Sequence, residues 1–426
     1  MKKQTLLVSA ALPLLLSACN GGGGGSEEDS IVQTGGPSKE NPIYIGPPSE
    51  KQDVQGAAAP APESAPAPTA NASSMPPPSP PGAQPIGALV SCYTVTGSLP
   101  LPATQTPTLL PAPGSALVTN YQELATPDEA GLCYANYQRE LVGLPPFVSE
   151  PQLARAAFNH SHYLLHNTPF EGHDETPGKP FFTGIDPAAR IAQAGYRTSA
   201  TSEVLAMRLS WVDQPNSPST LSPGSALIQG LIAAPFHRVG LLGSMKSAGS
   251  GYDDRHGPTD ASQDRNKRPD TCPTGTTCTI TATEFVHTIN MADSHQAAGD
   301  DFLIASPHDG QRGITPDWKN TEWPDPYPGT FGQIVGYPVT LQAVNRSLKL
   351  DVVGFEIKDP GGRKADCELV DHSYQNHPQV NMAGYASGLA VCTPRAPLQA
   401  NTTYTVHVTG NLNNKPMDVR WSFTTQ

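Results

Sequence analysis

Between positions 57 and 85, ten of 29 residues are Pro and nine are Ala, and this stretch restricts the chain more than any other. Pro lacks a backbone N–H and fixes φ, which bars the segment from helix interiors and central strands. With so few large apolar side chains it cannot bury enough surface to offset its ordering entropy, so an extended, partly polyproline II conformation is expected. Glycines 21–25 and the acidic run Glu27-Glu28-Asp29 precede it. The 66 residues from Asn20 to Pro85 could reach on the order of 200 Å at ~3.1 Å each. Residues 19–89 are therefore expected to be a tether, with order beginning near Val90.

What lies before the tether indicates what it is tied to. Met1-Lys2-Lys3 gives a positive start, Leu6 to Leu16 is mostly apolar, and Leu16-Ser17-Ala18-Cys19 closes the segment. Eleven residues are too few to span a bilayer as a helix, so residues 1–18 have the form of a signal peptide. Small residues followed by cysteine resemble the lipobox of bacterial lipoproteins. That resemblance implies an acylated Cys19 as first residue of the mature chain, anchored to a membrane by several acyl chains. Asn20 is not the Asp that resembles an inner-membrane retention signal, which favours the outer membrane and leaves open which face. A net charge of −12 argues against a nucleic-acid partner, which calls for clustered Lys and Arg.

Six cysteines remain: Cys92, Cys133, Cys272, Cys278, Cys367 and Cys392. An even number in an exported chain favours disulfides, with fifteen pairings available. Proximity along the chain favours Cys92–Cys133, Cys272–Cys278 and Cys367–Cys392. No paired CxxC motifs point to a structural zinc knuckle.

From Pro127 the apolar spacing turns helical. Asp128 is a candidate N-cap for a helix through Leu141. Leu153, Ala156, Ala157, His160 and Leu164 form the buried stripe of a second helix. Ile185 to Gly195, with Asp186 and Pro187 as cap and first-turn residues, and Ala226 to Ala234 predict two more, and Val239–Tyr252 and Thr279–Asn290 predict strands. Helices followed by strands indicate an α+β or αβα layered domain. Past a linker over 303–334, six short alternating runs between Val335 and Thr425 predict a β-sandwich over 335–426.

Three segments resemble the CAP superfamily, the cysteine-rich secretory, antigen 5 and pathogenesis-related class-1 proteins. The first is Asn136-Tyr-Gln-Arg-Glu-Leu-Val-Gly-Leu-Pro-Pro-Phe147 with the helical stretch Leu153-Ala-Arg-Ala-Ala-Phe-Asn-His160 and the loop ending Phe170-Glu-Gly-His173. The second is Ala194-Gly-Tyr196 with Thr201-Ser-Glu203-Val-Leu-Ala206, where Ser202 and Val204 replace the Gly and Asn of the family's Gly-Glu-Asn segment. The third is Ala233-Ala-Pro-Phe-His237-Arg238-Val-Gly-Leu-Leu242, followed by Gly249-Ser-Gly251-Tyr252. The resemblance implies a CAP-type αβα sandwich over 90–302, with His173, Glu203 and His237 in three of the family's four cleft positions. For the fourth, acidic position, Gln229, Gly230 and Ala233 offer no match. The run from Pro338 to Gln426 resembles bacterial Ig-like domains, which implies an all-β sandwich with a spacing or adhesive role.

Two neutral imidazoles can hold a divalent metal, zinc above all, and a carboxylate beside them can orient a ring or take a proton from bound water. His160 is expected as a satisfied inward histidine, with His162 and His166 solvated. Asp253, Asp254, Asp260, Asp264 and Asp270 miss the EF-hand spacing and are expected to be solvated loop. Neither G-x-S-x-G nor H-E-x-x-H occurs. Two functions remain open. One is an envelope module binding a small apolar ligand, lipid, glycan or protein in the His173/Glu203/His237 cleft. The other is a metal-assisted hydrolase with Glu203 as base.

Overall fold

Proline marks where helices begin. Pro127, Pro151, Pro187 and Pro235 each occupy the first turn of a helix, where the missing N–H costs nothing. The computed structural model describes residues 91–167, 172–211, 223–260, 279–294, 298–322, 325–373 and 387–426. The signal peptide, Cys19, the tether and the Cys272–Cys278 pairing lie outside the described residues.

The chain is mixed α/β with a strand-rich C-terminal part. It opens with β1 (Thr94–Val95), β2 (Thr108–Leu109), the single turn α1 (Gly114–Leu117) and β3 (Val118–Thr119). A helix-containing unit follows: α2 (Pro127–Leu141), β4 (Val148–Ser149), α3 (Pro151–His166), α4 (Pro187–Gln193), β5 (Thr201–Trp211), α5 (Pro223–Ala233), α6 (Pro235–Leu241), β6 (Met245–Asp260) and β7 (Thr279–Ser294). Its sheet runs β4-β6-β7-β5. One face carries α3 and α4, with Leu205 and Val286 packed on Tyr163 and Leu164, and Ala292 on Leu153 and Ile191. The other carries α2, α5 and α6, packed on Val204, Ala206, Ile289 and Met291. Strand alternation assigns each β5 side chain to one layer or the other. Gly249 and Gly251 let α3 approach β6 closely, since a Cβ on either would lie 1.9 Å from a backbone nitrogen of Ala154 or Phe158.

The remaining strands are β8 (Phe302–Ser306), β9 (Gln311–Ile314), β10 (Asp317–Lys319), β11 (Ile334–Gly336), β12 (Val339–Ala343), β13 (Leu350–Lys358), β14 (Cys367–Asp371), β15 (Leu389–Pro394), β16 (Thr403–Leu412) and β17 (Lys415–Thr425). Two sheets, β14-β15-β12-β8-β2 and β13-β16-β17-β9, share one core around Leu341, Val406, Trp421 and Phe423. On β16, Tyr404, Val406 and Val408 are buried while Thr403 and Thr405 are exposed, the alternation of a half-wet strand. Disulfides join Cys92 to Cys133 and Cys367 to Cys392.

Three expectations need correction. The segment 303–334 is not a linker, because β8 and β9 enter the two C-terminal sheets and β2 from the N-terminal wrap pairs with β8. Val239 to Leu241 is helical and the strand starts only at Met245, because α6 sets Phe236 and Val239 one turn apart against Val370, Leu389 and Val391. Asp128 lies inside the first turn of α2, with Thr126 at the cap, and its carboxylate accepts the Tyr252 N–H.

The two parts are riveted together by Arg238. Fully buried, it donates to the carbonyls of Ile232 (2.6 Å), Ala233 (3.0 Å) and Pro338 (3.0 Å) and to Thr340 Oγ1 (3.2 Å). Gln342 adds a 2.7 Å bond to the Leu242 carbonyl.

Candidate functional site: a buried carboxylate cluster and a separate histidine

Glu203 is placed by the pleat of β5. Its neighbours Ser202 and Val204 face Gly240 of α6, so Glu203 projects into the opposite layer, between α3 and α4. There Arg190 Nη2, on α4, donates to both Glu203 oxygens at 2.8 Å. Asp186 holds that helix in place by accepting the Ala189 N–H at 2.7 Å, the N-cap role its position predicted. His173 Nδ1 meets Glu203 Oε1 at 2.8 Å. With the amide assigned so that its nitrogen faces the carboxylate, the orientation that satisfies both ends, Asn290 on β7 donates to Glu203 Oε2 at 2.8 Å and accepts the Ala157 N–H at 2.9 Å.

A second carboxylate completes the cluster. Glu175 accepts from the Thr183 and Gly184 N–H groups at 2.5 and 3.2 Å and lies 3.0 Å from His160 Nδ1. The other nitrogen of His160 is 2.8 Å from the Gly172 carbonyl. His160 is thus a satisfied inward histidine, held between the helix and the loop that carries His173. His173 is half-buried, with 12 % of its side chain exposed. Since Nδ1 is taken by Glu203, Nε2 is the nitrogen left to meet anything outside.

The electrostatics follow from the neighbours. Burial alone would raise the Glu203 carboxyl, but Arg190, His160 and His173 outweigh it and bring it down to about 2. At neutral pH this group is an ionised, fully committed hydrogen-bond acceptor. A general base works best with a pKa near the working pH, so Glu203 is poorly suited to take a proton from water.

His237 does not join this cluster. It sits on α6, in the layer on the other side of the sheet, and is buried, with 5 % of the residue exposed. Its Nδ1 meets Glu322 Oε1 at 2.8 Å, and the same oxygen accepts the Phe236 and His237 N–H groups at 2.7 and 2.9 Å. His237 Nε2 and Glu322 Oε2 are buried without a hydrogen-bond partner among the described residues. The expected three-residue cleft therefore divides into His173 with Glu203 and His237 with Glu322. His173 and His237 lie on opposite sides of the sheet, so the two rings do not come together around one ion as expected.

Sequence reasoning missed Arg190, Glu175, Asn290 and Glu322. Arg190 and Glu175 carried a weak signal, being charged residues beside an N-cap and beside His173. Glu322 carried none, since it is 85 residues from His237. Of the two histidines expected to be solvated, His162 is half-buried against Asp253 and His166 is exposed.

The sequence matches no protein-family model and no curated protein.

Proposed function

We propose that the chain is a lipid-anchored envelope protein whose helix-containing unit is of CAP type and acts as a recognition module, with the Ig-like C-terminal sandwich as its support. The ligand class is a small apolar molecule, lipid, glycan or protein, met where His173 leaves the buried cluster. The observation that carries this reading is the commitment of Glu203 to Arg190, Asn290 and His173. A carboxylate so held orients an imidazole and supplies no proton acceptor, which favours binding over hydrolysis. Two disulfides fit an oxidising compartment, in line with export.

The test has two arms on the full-length mature protein. Ligand carried through purification is extracted and identified by native mass spectrometry, wild type against His173→Ala. Hydrolysis of p-nitrophenyl esters and phosphoesters is followed with and without zinc. A bound species lost in His173→Ala, with no turnover, is the expected result. Turnover abolished by His173→Ala would reverse the reading in favour of a hydrolase. Palmitate labelling that survives Cys19→Ser would remove the anchor.

A further inference from the structure

Two imidazoles outside the cluster stand side by side on α3. His162 and His166 are four residues apart and so project from successive turns of one helical face, with ring centroids 4.2 Å apart. One nitrogen of each ring is already engaged. His162 Nδ1 lies 2.8 Å from Asp253 Oδ2, and His166 Nδ1 lies 2.8 Å from the His162 carbonyl oxygen. A carbonyl oxygen can only accept, so His166 carries its proton on Nδ1, and the Asp253 carboxylate selects the same tautomer for His162. Among the described residues neither Nε2 lone pair has a partner. A carboxylate or carbonyl on the far nitrogen is the support that metal-binding histidines characteristically have.

The rings are also held in position. Phe158 stacks on His162 at 6.0 Å, and the edge of Phe181 meets His162 and His166 at 4.4 and 4.8 Å. Phe181 has φ +64°, a left-handed conformation that is unfavourable for a bulky residue and is tolerated only where the surroundings enforce it. The loop is fastened just beyond it by the bonds from Thr183 and Gly184 to Glu175. One side stays open, since His166 is exposed and 19 % of the His162 side chain is exposed. Asp128 and Asp254 add to the negative field around Asp253, which favours a cation.

We propose that His162 and His166 form a surface site for one divalent transition cation of the zinc type. The ion is held by both Nε2 atoms, Asp253 acts as the orienting group, and water completes the shell. Two imidazoles sharing a tetrahedral ion at ~2.0–2.1 Å per bond have ring centres about 5 Å apart, so the rings, 4.2 Å apart here, must separate by about 1 Å to take the ion, a movement the exposed His166 ring can make. Histidines at this spacing on one helical face supply two of the ligands in helical zinc motifs, so the backbone geometry is suitable. The site does not depend on the recognition role given to His173.

Isothermal titration of zinc chloride into the full mature chain, disulfides intact, tests the assignment. The wild type is expected to take one ion per chain. His166→Ala should weaken binding at least ~10-fold, the His162→Ala/His166→Ala double variant should abolish it, and Asp253→Asn should weaken it about 10- to 100-fold. His173→Ala should leave it unchanged. His166 is exposed, so its variant should keep the fold, checked by circular dichroism, and a zinc-induced Nε2 shift in wild-type nitrogen NMR gives a reading without mutation. No zinc uptake by the wild type, unchanged affinity in the double variant, or loss on His173→Ala alone would each overturn the proposal.

Discussion

Replacing Glu203 by Gln removes one charge from a fully buried cluster and keeps the side-chain volume. Arg190 then remains at zero side-chain exposure without the carboxylate that both its 2.8 Å contacts reach. Removing one partner of such a pair costs about 3–5 kcal/mol when the other charge is left buried, and Glu175 Oε1, 3.7 Å from Arg190 Nε, moves the expected cost toward the lower end of that range. The pH dependence gives a second, independent magnitude. The Glu203 carboxyl is depressed from 4.5 to about 2 in the folded chain, so between those values the unfolded state binds the proton first. Its contribution is complete above pH ~4.5 and is lost as pH falls toward ~2, a change of about 3 kcal/mol at 1.36 kcal/mol per unit. Gln does not titrate. The stability gap between wild type and Glu203→Gln should therefore be about 3–5 kcal/mol at pH 7 and narrow by about 3 kcal/mol toward pH 2. Urea unfolding followed by tryptophan fluorescence, repeated from pH 2.5 to 7, measures both. A gap under ~1 kcal/mol at neutral pH, or one that does not change with pH, would refute the reasoning.

Other consequences separate cleanly from this one. Burial lowers the His287 ring from 6.5 to about 4, so its stabilising effect is complete above the unfolded value and falls by about 3 kcal/mol as pH drops through that window; nitrogen NMR should show the ring neutral at pH 5.5, and protonation there would sink the assignment. Opening the Cys92–Cys133 or Cys367–Cys392 loop, with sequence separations of 41 and 25, should cost about 3–4 kcal/mol each on chain-entropy grounds, and thiols that alkylate without reductant would contradict the pairing. Gly251→Ala drives a Cβ to 1.9 Å from the Phe158 nitrogen, forcing α3 off β6 at a cost of about 3 kcal/mol or more; a melting temperature equal to wild type would disprove that contact. A chain cut after residue 300 loses the Pro338 and Thr340 partners of Arg238 and uncovers Phe236 and Val239, so it should be insoluble or bind a hydrophobic dye, and a soluble, cooperatively melting fragment would show the two parts to be separable.

The helices were legible because their signals are local. Pro at the first turn, Asp186 at its cap and the Leu153–Leu164 stripe each act over a few residues. The half-wet alternation of Thr403 to Val408 was legible for the same reason. What sequence reasoning mistook were contacts made at a distance. β8 lies in a stretch that looks like a connector, and its role is set by strands about forty residues later in the chain and almost two hundred earlier. Val239 belongs to a short apolar run that suits helix or strand equally, and the surface of Val370 and Val391 decides between them.

The histidines divide along the same line. The amino-acid order alone determined that His160 faces inward and that His162 and His166 share a helical face, because the 3.6-residue period is a property of the local backbone, whereas the strand that aims Glu203 and Ser202 to opposite sides was not read from it. Only the tertiary structure decided that Glu203 closes on Arg190 and His173 while His237 turns to Glu322 in the other layer. A sheet separates the two layers, and which helix covers which face depends on how the whole apolar surface packs, something no single segment encodes.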